Sequence, residues 1–150
     1  MKKQGFTILE ILVVLAVLAI LIAMAVPRIK GMQDQANISK VKSELKTLQT
    51  ALESHYINKG TYMSPSGVGS ITKDLLLVTD IPQIIPGAMA DPLAPAGTDY
   101  SYMVSPDGTN YVIFSVGLDG TATITGIGDD DALTGALGDD ICVSNTTACD

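Results

Sequence analysis

The most unusual candidate for chemistry in this chain is a single carboxylate, Glu10, placed within a strongly apolar segment. It follows Gly5-Phe-Thr-Ile-Leu9 and precedes sixteen uninterrupted apolar residues at positions 11–26. A carboxylate inside a membrane span costs about 2.5–3.5 kcal/mol on insertion scales, so such a residue is a functional candidate by default. We therefore interpret Glu10 as a functional residue.

A second candidate is an acidic loop at residues 117–133. Gly117-Leu-Asp119-Gly120 precedes three adjacent carboxylates, Asp129, Asp130 and Asp131. These repel one another, and Ca²⁺ takes six to eight oxygen ligands from carboxylates and backbone carbonyls in flexible loops. We predict a calcium site in which Asp119 faces the loop of Asp129, Asp130 and Asp131. The alternative is a solvated, disordered surface loop. A weaker second site is predicted at Asp139 and Asp140.

The element that positions Glu10 is residues 6–26, which predict a membrane-spanning helix. These 21 residues extend about 32 Å as a helix, enough to cross a ~30 Å hydrocarbon core. Lys2 and Lys3 hold the N-terminus in the cytoplasm, although Arg28 and Lys30 weaken the asymmetry. The rest of the chain is then exported. One alternative is a signal peptide that is removed, but no small-x-small cleavage site ends the apolar run. Another is a plain single-pass membrane anchor, which does not explain Glu10.

Export bears on the two cysteines of the chain, Cys142 and Cys149. An exported location permits oxidation, and residues 143–148 form a loop short enough to close. We predict a disulfide, against the alternative of two free thiols. The pair lacks Cys-x-x-Cys spacing, so no catalytic role is expected. Asn145-Thr-Thr147 fits an N-glycosylation sequon.

Residues 37–59 predict an amphipathic helix. Gly60 is expected to cap its end, while Pro27 and Gly31 predict a kink or a locally extended stretch upstream. His55, the only histidine, is expected on the helix surface, with no role as a ligand. The apolar stripe recurs every three or four residues at Ile38, Val41, Leu45, Leu48, Leu52 and Tyr56.

Residues 100–125 predict a small antiparallel sheet. Tyr100, Tyr102 and Val104 alternate with other residues in a first strand, and the turn Ser105-Pro-Asp-Gly108 follows. Residues 111–116 and 121–125 predict the second and third strands, separated by the turn at 117–120. A helix with three strands predicts an α+β head. Residues 64–95 predict a connecting loop with a helical turn at 74–78.

Charge and composition exclude several classes of function. The net charge is −7, which becomes −9 without Lys2 and Lys3. No Lys or Arg follows Lys73, while eleven Asp lie between Asp80 and Asp150, which argues against nucleic-acid binding by the exported part. One histidine and no Ser or Cys nucleophile motif argue against an enzyme. A membrane-anchored exported enzyme and a calcium-binding adhesin that never polymerises are the alternatives of other classes.

The N-terminal motif, from Gly5-Phe6 through Glu10 and the apolar run to Pro27, resembles that of type IV pilins and type II secretion pseudopilins. The segment from Tyr56 to Tyr62 also resembles the end of the pilin helix, with Met63 in place of the usual proline. The resemblance implies cleavage by a prepilin peptidase after Gly5 and N-methylation of Phe6. It further implies that Glu10 pairs with the N-terminal amine of a neighbouring subunit, and that the helix near Pro27 loosens on assembly.

The acidic loop resembles the calcium loop of the major pseudopilin, in which a Gly-x-Asp-Gly turn precedes a Gly-x-Gly acidic segment. The loop aligns with that family in two registers, so the resemblance implies Asp119 with two of Asp129, Asp130 and Asp131, and the choice of two stays open. Asp91-Pro92 falls where that family has Asp-Pro-Trp-Gly, but Leu93-Ala94 replaces Trp-Gly. The tail, residues 134–150, extends beyond the family's usual end, and its cysteines resemble the disulfide-closed C-terminal loop of type IV pilins. The resemblance is strong over residues 1–62 and moderate over residues 91–133.

The resemblance implies the pilin fold, a long N-terminal helix packed on a small antiparallel sheet. It divides the chain into a leader (1–5), a transmembrane and assembly helix (6–30) and an exported head (31–150). The favoured function is that of a major pseudopilin-like subunit in a type II secretion pseudopilus. The alternative is a type IV pilin of a surface pilus, used in adhesion, twitching motility or DNA uptake. The expected partners are copies of the chain, the bacterial inner membrane, prepilin peptidase and the assembly machinery, with the filament in the periplasm or on the cell surface.

Overall fold

A computed structural model describes residues 6–62, 69–70, 84–85 and 87–149. One long helix, α1, spans Ile8–Lys59. It is continuous through Pro27 and Gly31, so the locally extended stretch predicted there is absent. Its end is capped as expected: the Gly60 N–H donates to the Tyr56 carbonyl at 2.7 Å, and Gly60 has a φ of 79°, which glycine adopts without steric cost.

Six strands follow the helix and form two antiparallel sheets. The larger sheet has the order β1-β2-β3-β6, and β4 pairs with β5 in a separate two-stranded sheet. The α+β architecture predicted from the sequence is therefore confirmed. The strands are β1 (Gly69–Ser70), β2 (Ser101–Val104), β3 (Tyr111–Ser115), β4 (Ile124–Ile127), β5 (Leu133–Gly135) and β6 (Ile141–Ser144).

The third predicted strand is wrong in both position and partner. The chain at 121–125 forms a strand only from Ile124, and that strand belongs to the small β4–β5 hairpin. The neighbour of β3 in the main sheet is β6, which lies in the tail that the sequence analysis placed outside the sheet. The turn signals in the sequence predicted that consecutive strands pair. In the structure, the β4–β5 hairpin lies in sequence between β3 and β6, which pair with each other.

The β2–β3 hairpin agrees with the sequence prediction. Tyr102 pairs with Ile113 and Val104 pairs with Tyr111. The Gly108 N–H donates to the Ser105 carbonyl at 2.9 Å, which closes the predicted turn. Every residue of β3 is buried, because this strand is central in the sheet and packed on both faces.

The head, residues 37–150, is a compact unit by itself, with apolar clusters on both faces of the main sheet. One cluster joins the buried face of α1 to the sheet. On the opposite face, Met103, Val112 and Phe114 pack against Ile124 and Ile127 of the small hairpin. The sheet therefore separates two layers. The cluster on the helix side comprises Val41, Leu45, Leu48, Ala51, Leu52, Ile85, Tyr100, Tyr102, Tyr111 and Ile113.

The prediction that His55 lies on the helix surface is wrong. Its side chain is only 4% exposed. Leu48, Ala51 and Leu52 are also buried, and with His55 they form the i, i+3, i+4, i+7 set of one helix face. The buried face of α1 is thus wider than the single stripe read from the sequence. The predicted leader, with Gly5, and the predicted helical turn at 74–78 lie outside the described residues.

Candidate functional site

Residues 6–25 present apolar side chains that nothing in the described chain covers. Phe6 is 79% exposed and Leu12 is 62% exposed. The helix is long and apolar enough to cross a membrane, and none of its most apolar window is buried. Such a continuous apolar surface is stable only against lipid or against other protein. This segment is therefore the first candidate functional site.

Glu10 lies in the first turn of α1, and the structure shows how that turn begins. The Glu10 N–H donates to the Thr7 hydroxyl at 3.3 Å, and the Ile11 N–H donates to the Thr7 carbonyl at 3.3 Å. Thr7 is thus the N-cap residue, in the Thr-x-x-Glu pattern of a capping box. The sequence analysis missed this cap, although its signal is local. Within the described residues, the Glu10 carboxylate has no ion-pair or hydrogen-bond partner.

Two carboxylates on α1 bind the helix to the sheet through tyrosine hydroxyls. The Tyr100 hydroxyl donates to Glu44 at 2.6 Å, and the Tyr111 hydroxyl donates to Glu53 at 2.7 Å. Tyr62 donates to the same Glu53 at 3.1 Å. Neither glutamate belongs to the apolar stripe that the sequence predicts, and the sequence analysis gave neither a role. They lie at its margin, where a long side chain reaches the partner layer.

Burial, helped by these carboxylates, raises the pKa of the tyrosines. For Tyr62, burial and then the Glu53 charge raise the pKa from 10.0 to about 12. Burial and the neighbouring glutamates also raise the pKa of Tyr100 and of Tyr111 well above the usual range. Each neutral phenol is therefore favoured by the folded head.

We expect alkaline pH to destabilise the head as these phenols ionise. Since the Tyr62 pKa is higher in the folded than in the unfolded head, its stabilisation is complete below about pH 10 and is lost as pH rises towards 12. Phenolate absorbance and far-ultraviolet circular dichroism, followed together, should change in parallel. Glu53→Gln should lower the Tyr62 pKa only part of the way, because burial is the larger cause. Ionisation of all five tyrosines near pH 10 with intact secondary structure would contradict this.

The three adjacent aspartates form an ordered turn between β4 and β5. The Asp107 N–H donates to the Asp129 carboxylate at 3.0 Å, and the Asn110 side chain donates to the Asp131 carboxylate at 2.8 Å. Asp130 accepts from the Ala132 N–H at 3.3 Å. The β2–β3 turn therefore fixes this loop, and all three carboxylates remain exposed. The structure therefore shows an ordered loop at residues 129–131, not the disordered loop that was the alternative.

Asp119 contacts Asp139, which the sequence analysis assigned to a weaker second site. Its N–H donates to Asp139 at 3.0 Å, and its own carboxylate accepts from the Thr121 N–H at 2.7 Å. The backbone of Asp139 lies so close to Gly117 that a Cβ there would clash with it. Hydrogen bonds thus bring Asp119 to Asp139, whereas those of Asp129 and Asp131 lead to the β2–β3 turn.

Asp140 adds a buried oxygen beside Asp139. It is 6% exposed, and its Oδ2 accepts from the Thr123 and Ile124 N–H groups at 2.8 and 2.9 Å. Its Oδ1 is buried without a hydrogen-bond partner in the described chain. Hard carboxylate oxygens, one of them unpartnered, fit the donor chemistry of Ca²⁺. No group of three or more His, Cys, Asp or Glu side chains is arranged for a metal within the described residues, so backbone carbonyls would have to complete any site.

The predicted disulfide is confirmed. Cys142 and Cys149 are bonded, with their Cα atoms 5.6 Å apart. Cys142 lies in β6 opposite Phe114 of β3, so the disulfide fastens the end of the chain to the sheet. Asn145 continues this pairing: its side chain accepts from the Tyr111 N–H at 2.9 Å and donates to the Thr109 carbonyl at 2.8 Å. The sequon nitrogen is therefore engaged in the fold.

Comparison with known families completes this picture. A model of the prokaryotic N-terminal methylation motif matches residues 1–26. A model described as "Type II secretion system (T2SS), protein G" matches residues 28–134. The chain belongs to the protein G family of type II secretion systems. The family is one of structural pseudopilins, which agrees with the resemblance seen in the sequence.

Two of three individual relatives carry the same family name, and the third is a type IV fimbrial protein. The type II secretion system core protein G of Pectobacterium carotovorum subsp. carotovorum is 32% identical over 127 residues, covering 79% of this chain and 78% of the relative. That of Vibrio cholerae is 30% identical over 139 residues, covering 87% and 91%. The type IV major fimbrial protein FimA of Dichelobacter nodosus is 27% identical over 124 residues, covering 83% and 77%. No solved structure matches the chain.

The protein G match ends before the tail of this chain. It stops at residue 134, within β5, so β6 and the disulfide lie beyond it. Yet β6 forms four residue pairs with the central strand β3. In this chain, the main sheet is therefore completed by β6, a strand that lies outside the family match.

Proposed function

We propose that this protein is a structural subunit of a type II secretion pseudopilus and polymerises through residues 6–26. The observation that carries the proposal is the uncovered apolar surface of this segment, which joins a head with its own complete core. Lipid covers the surface before assembly, and the same segments of other subunits cover it afterwards. The subunit starts in the bacterial inner membrane with its head in the periplasm.

Processing precedes assembly in this proposal. A prepilin peptidase cleaves after Gly5, and Phe6 becomes the methylated N-terminus. The match to the N-terminal methylation motif supports both steps. The new amine then lies close along the chain to Glu10, so one subunit offers a cation and its neighbour a carboxylate.

Intact-protein mass spectrometry of native cells tests the proposal. We expect a mature chain beginning at methylated Phe6 in the membrane fraction, and little in material sheared from the cell surface. A chain that retains residues 1–5 would contradict both processing and assembly.

A surface type IV pilus is the second candidate. The disulfide-closed tail and the similarity to a fimbrial protein favour it. An abundant mature chain in the sheared fraction would select this function over the pseudopilus.

We further propose that the head binds Ca²⁺ through Asp119 and Asp139, with the contribution of Asp140 and backbone carbonyls. Three observations support this: the contact between the first two residues, the buried Asp140 Oδ1 without a partner, and the acidity of the region. This differs from the ligand set predicted from sequence, Asp119 with two of Asp129, Asp130 and Asp131. Bound Ca²⁺ would neutralise the carboxylates and hold the 117–120 turn against the tail.

We expect Ca²⁺ to raise the Tm of a soluble fragment beginning at Asn37. A ligand at a hundred times its Kd adds about 2.7 kcal/mol, which corresponds to roughly 10 °C or more for a domain of this size. Asp139→Asn should remove the calcium-dependent part of the shift, while Asp130→Asn, the matched control, should retain it. The reverse pattern would restore the original ligand set, and equal Tm values in Ca²⁺ and EDTA would exclude a calcium site.

A further inference from the structure

Charge is segregated along this chain, and the structure displays the two signs on different surfaces of the head. No Lys or Arg follows Lys73, whereas eleven Asp lie from Asp80 onwards. Identical heads with a large negative net charge repel one another when they pack side by side. Close packing is favoured only if the cations of one head face the anions of another.

Two lysines of the head flank a groove between α1 and the edge strand β6. The groove has a volume of about 500 Å³, and Lys42 and Lys46 lie along its helical side. They are four residues apart, so they share one helix face. We call this the basic groove; it is lined by Lys42, Leu45, Lys46, Gln49 and residues of β6.

Neither lysine of the basic groove has an acidic partner within the described residues. The Lys46 ammonium donates to the Gln49 side chain at 3.5 Å. By contrast, Lys40 on the same helix pairs with Glu44 at 3.7 Å. Asp140 also borders the groove; its Oδ2 accepts from the Thr123 and Ile124 N–H groups, and its Oδ1 has no hydrogen-bond partner in the described chain. The groove therefore presents two lysine charges that form no ion pair with this carboxylate.

The negatively charged surface is the β4–β5 turn. Asp129, Asp130 and Asp131, which we call the acidic tip, are exposed and have no cationic partner in the described chain. Asp107 and Asn110 hold the tip in one conformation. A fixed tip loses little conformational entropy on binding, which favours a specific contact.

We propose that the acidic tip of one subunit docks in the basic groove of the next subunit. The proposal rests on the proposed function, since it names the head contact of that filament. The occupant is a second copy because one chain carries both members of a complementary pair. Two different patches that meet form a heterologous interface, and repeating such an interface produces an open helical filament when the rotation does not close.

Charge reversal in the full-length chain tests this contact. Lys46→Glu alone and Asp130→Lys alone should each reduce the filament yield at least tenfold. The combination of both changes should restore it to within about threefold, because the pair attracts again with reversed signs. Lys40→Glu is the matched control: it makes the same charge change on the same helix outside the groove, and it should leave the filament yield within about twofold of the wild type.

A cross-link gives a second readout. Lys46→Cys and Asp130→Cys in one chain should yield a ladder of disulfide-linked multimers from assembled filaments. Each single cysteine variant should give no ladder. Circular dichroism of every variant establishes that the head is folded.

The outcomes separate this inference from the proposed function. If the wild-type chain is processed but never forms filaments, the proposed function fails and this inference fails with it. If wild-type filaments form while the single reversals assemble normally, or while the double reversal fails to rescue, the contact is overturned and the filament proposal stands. Reduced assembly in the single reversals with rescue and a cross-linked ladder establishes the contact.

Discussion

Glu10→Ala is expected to abolish filament formation while leaving the processed protein in the membrane. The reason is an imbalance of charge in the assembled helix bundle. In the proposed filament, Glu10 lies opposite the N-terminal amine of a neighbouring subunit. Removing one partner of a buried ion pair leaves the other charge uncompensated, at a cost of about 3–5 kcal/mol. That cost lowers subunit association by roughly a hundredfold to several thousandfold at each contact.

Membrane insertion responds in the opposite direction. The carboxylate itself costs about 2.5–3.5 kcal/mol in the bilayer, so its removal makes insertion easier. Fractionation of membranes and quantification of filaments therefore separate the two effects. We expect at least wild-type amounts of mature protein in the membrane and fewer than about 1% of the wild-type filaments, by the association penalty above.

The capping contact at Thr7 supplies a matched control. Glu10→Ala retains the backbone N–H that donates to the Thr7 hydroxyl, so the cap remains. Thr7→Ala removes the cap, at about 1 kcal/mol, and leaves the carboxylate in place. If assembly depends on charge pairing, Thr7→Ala should form filaments and Glu10→Ala should not. Similar losses in both variants would instead assign the effect to the first turn of the helix.

The features predicted correctly from sequence are those whose signals are local. The α1 helix is encoded by an uninterrupted apolar run and then by a stripe of period 3.6, and Gly60 marks its end. The β2–β3 hairpin is encoded by alternating residues around a turn at Ser105 to Gly108. Each of these elements requires only contacts between residues close in sequence.

The errors concern contacts between distant parts of the chain. Strand β6 has only four residues, and its partner β3 is separated from it by a complete hairpin. Asp119 meets Asp139, twenty positions away, because that hairpin is looped out between them. The calcium ligand set that the sequence analysis named, Asp119 with residues of the Asp129–Asp131 run, stays a prediction. His55 was misplaced because the width of a buried helix face depends on the layer that packs against it.

The placement of β6 makes the disulfide the other change with a large expected effect. Cys142 belongs to a strand that pairs along its length with β3, and β3 is the central buried strand. Loss of the edge strand would uncover the α1 face of the sheet, where Ile141 and Val143 pack against the main cluster. The disulfide therefore acts on the core as well as on the tail.

We expect Cys142→Ser with Cys149→Ser to lower the stability of the head by about 2–3 kcal/mol. Closing a loop of this length removes roughly that much chain entropy from the unfolded state. For a domain of about this size, the corresponding decrease in Tm is roughly 10–20 °C. Thermal unfolding of the head fragment, with and without a reducing agent, measures the effect.

The double serine variant should be insensitive to the reducing agent, and reduction of the wild-type head should reproduce its Tm. Asn145→Ala serves as a comparison within the same tail, since it removes two hydrogen bonds to the β3 region but leaves the disulfide. If the double serine variant melted at the wild-type temperature, the backbone hydrogen bonds to β3 and the apolar contacts would be enough to hold β6 in place. A large loss would instead mean that this chain relies on oxidation after export to complete its sheet, because the stabilising bond forms only outside the reducing cytoplasm.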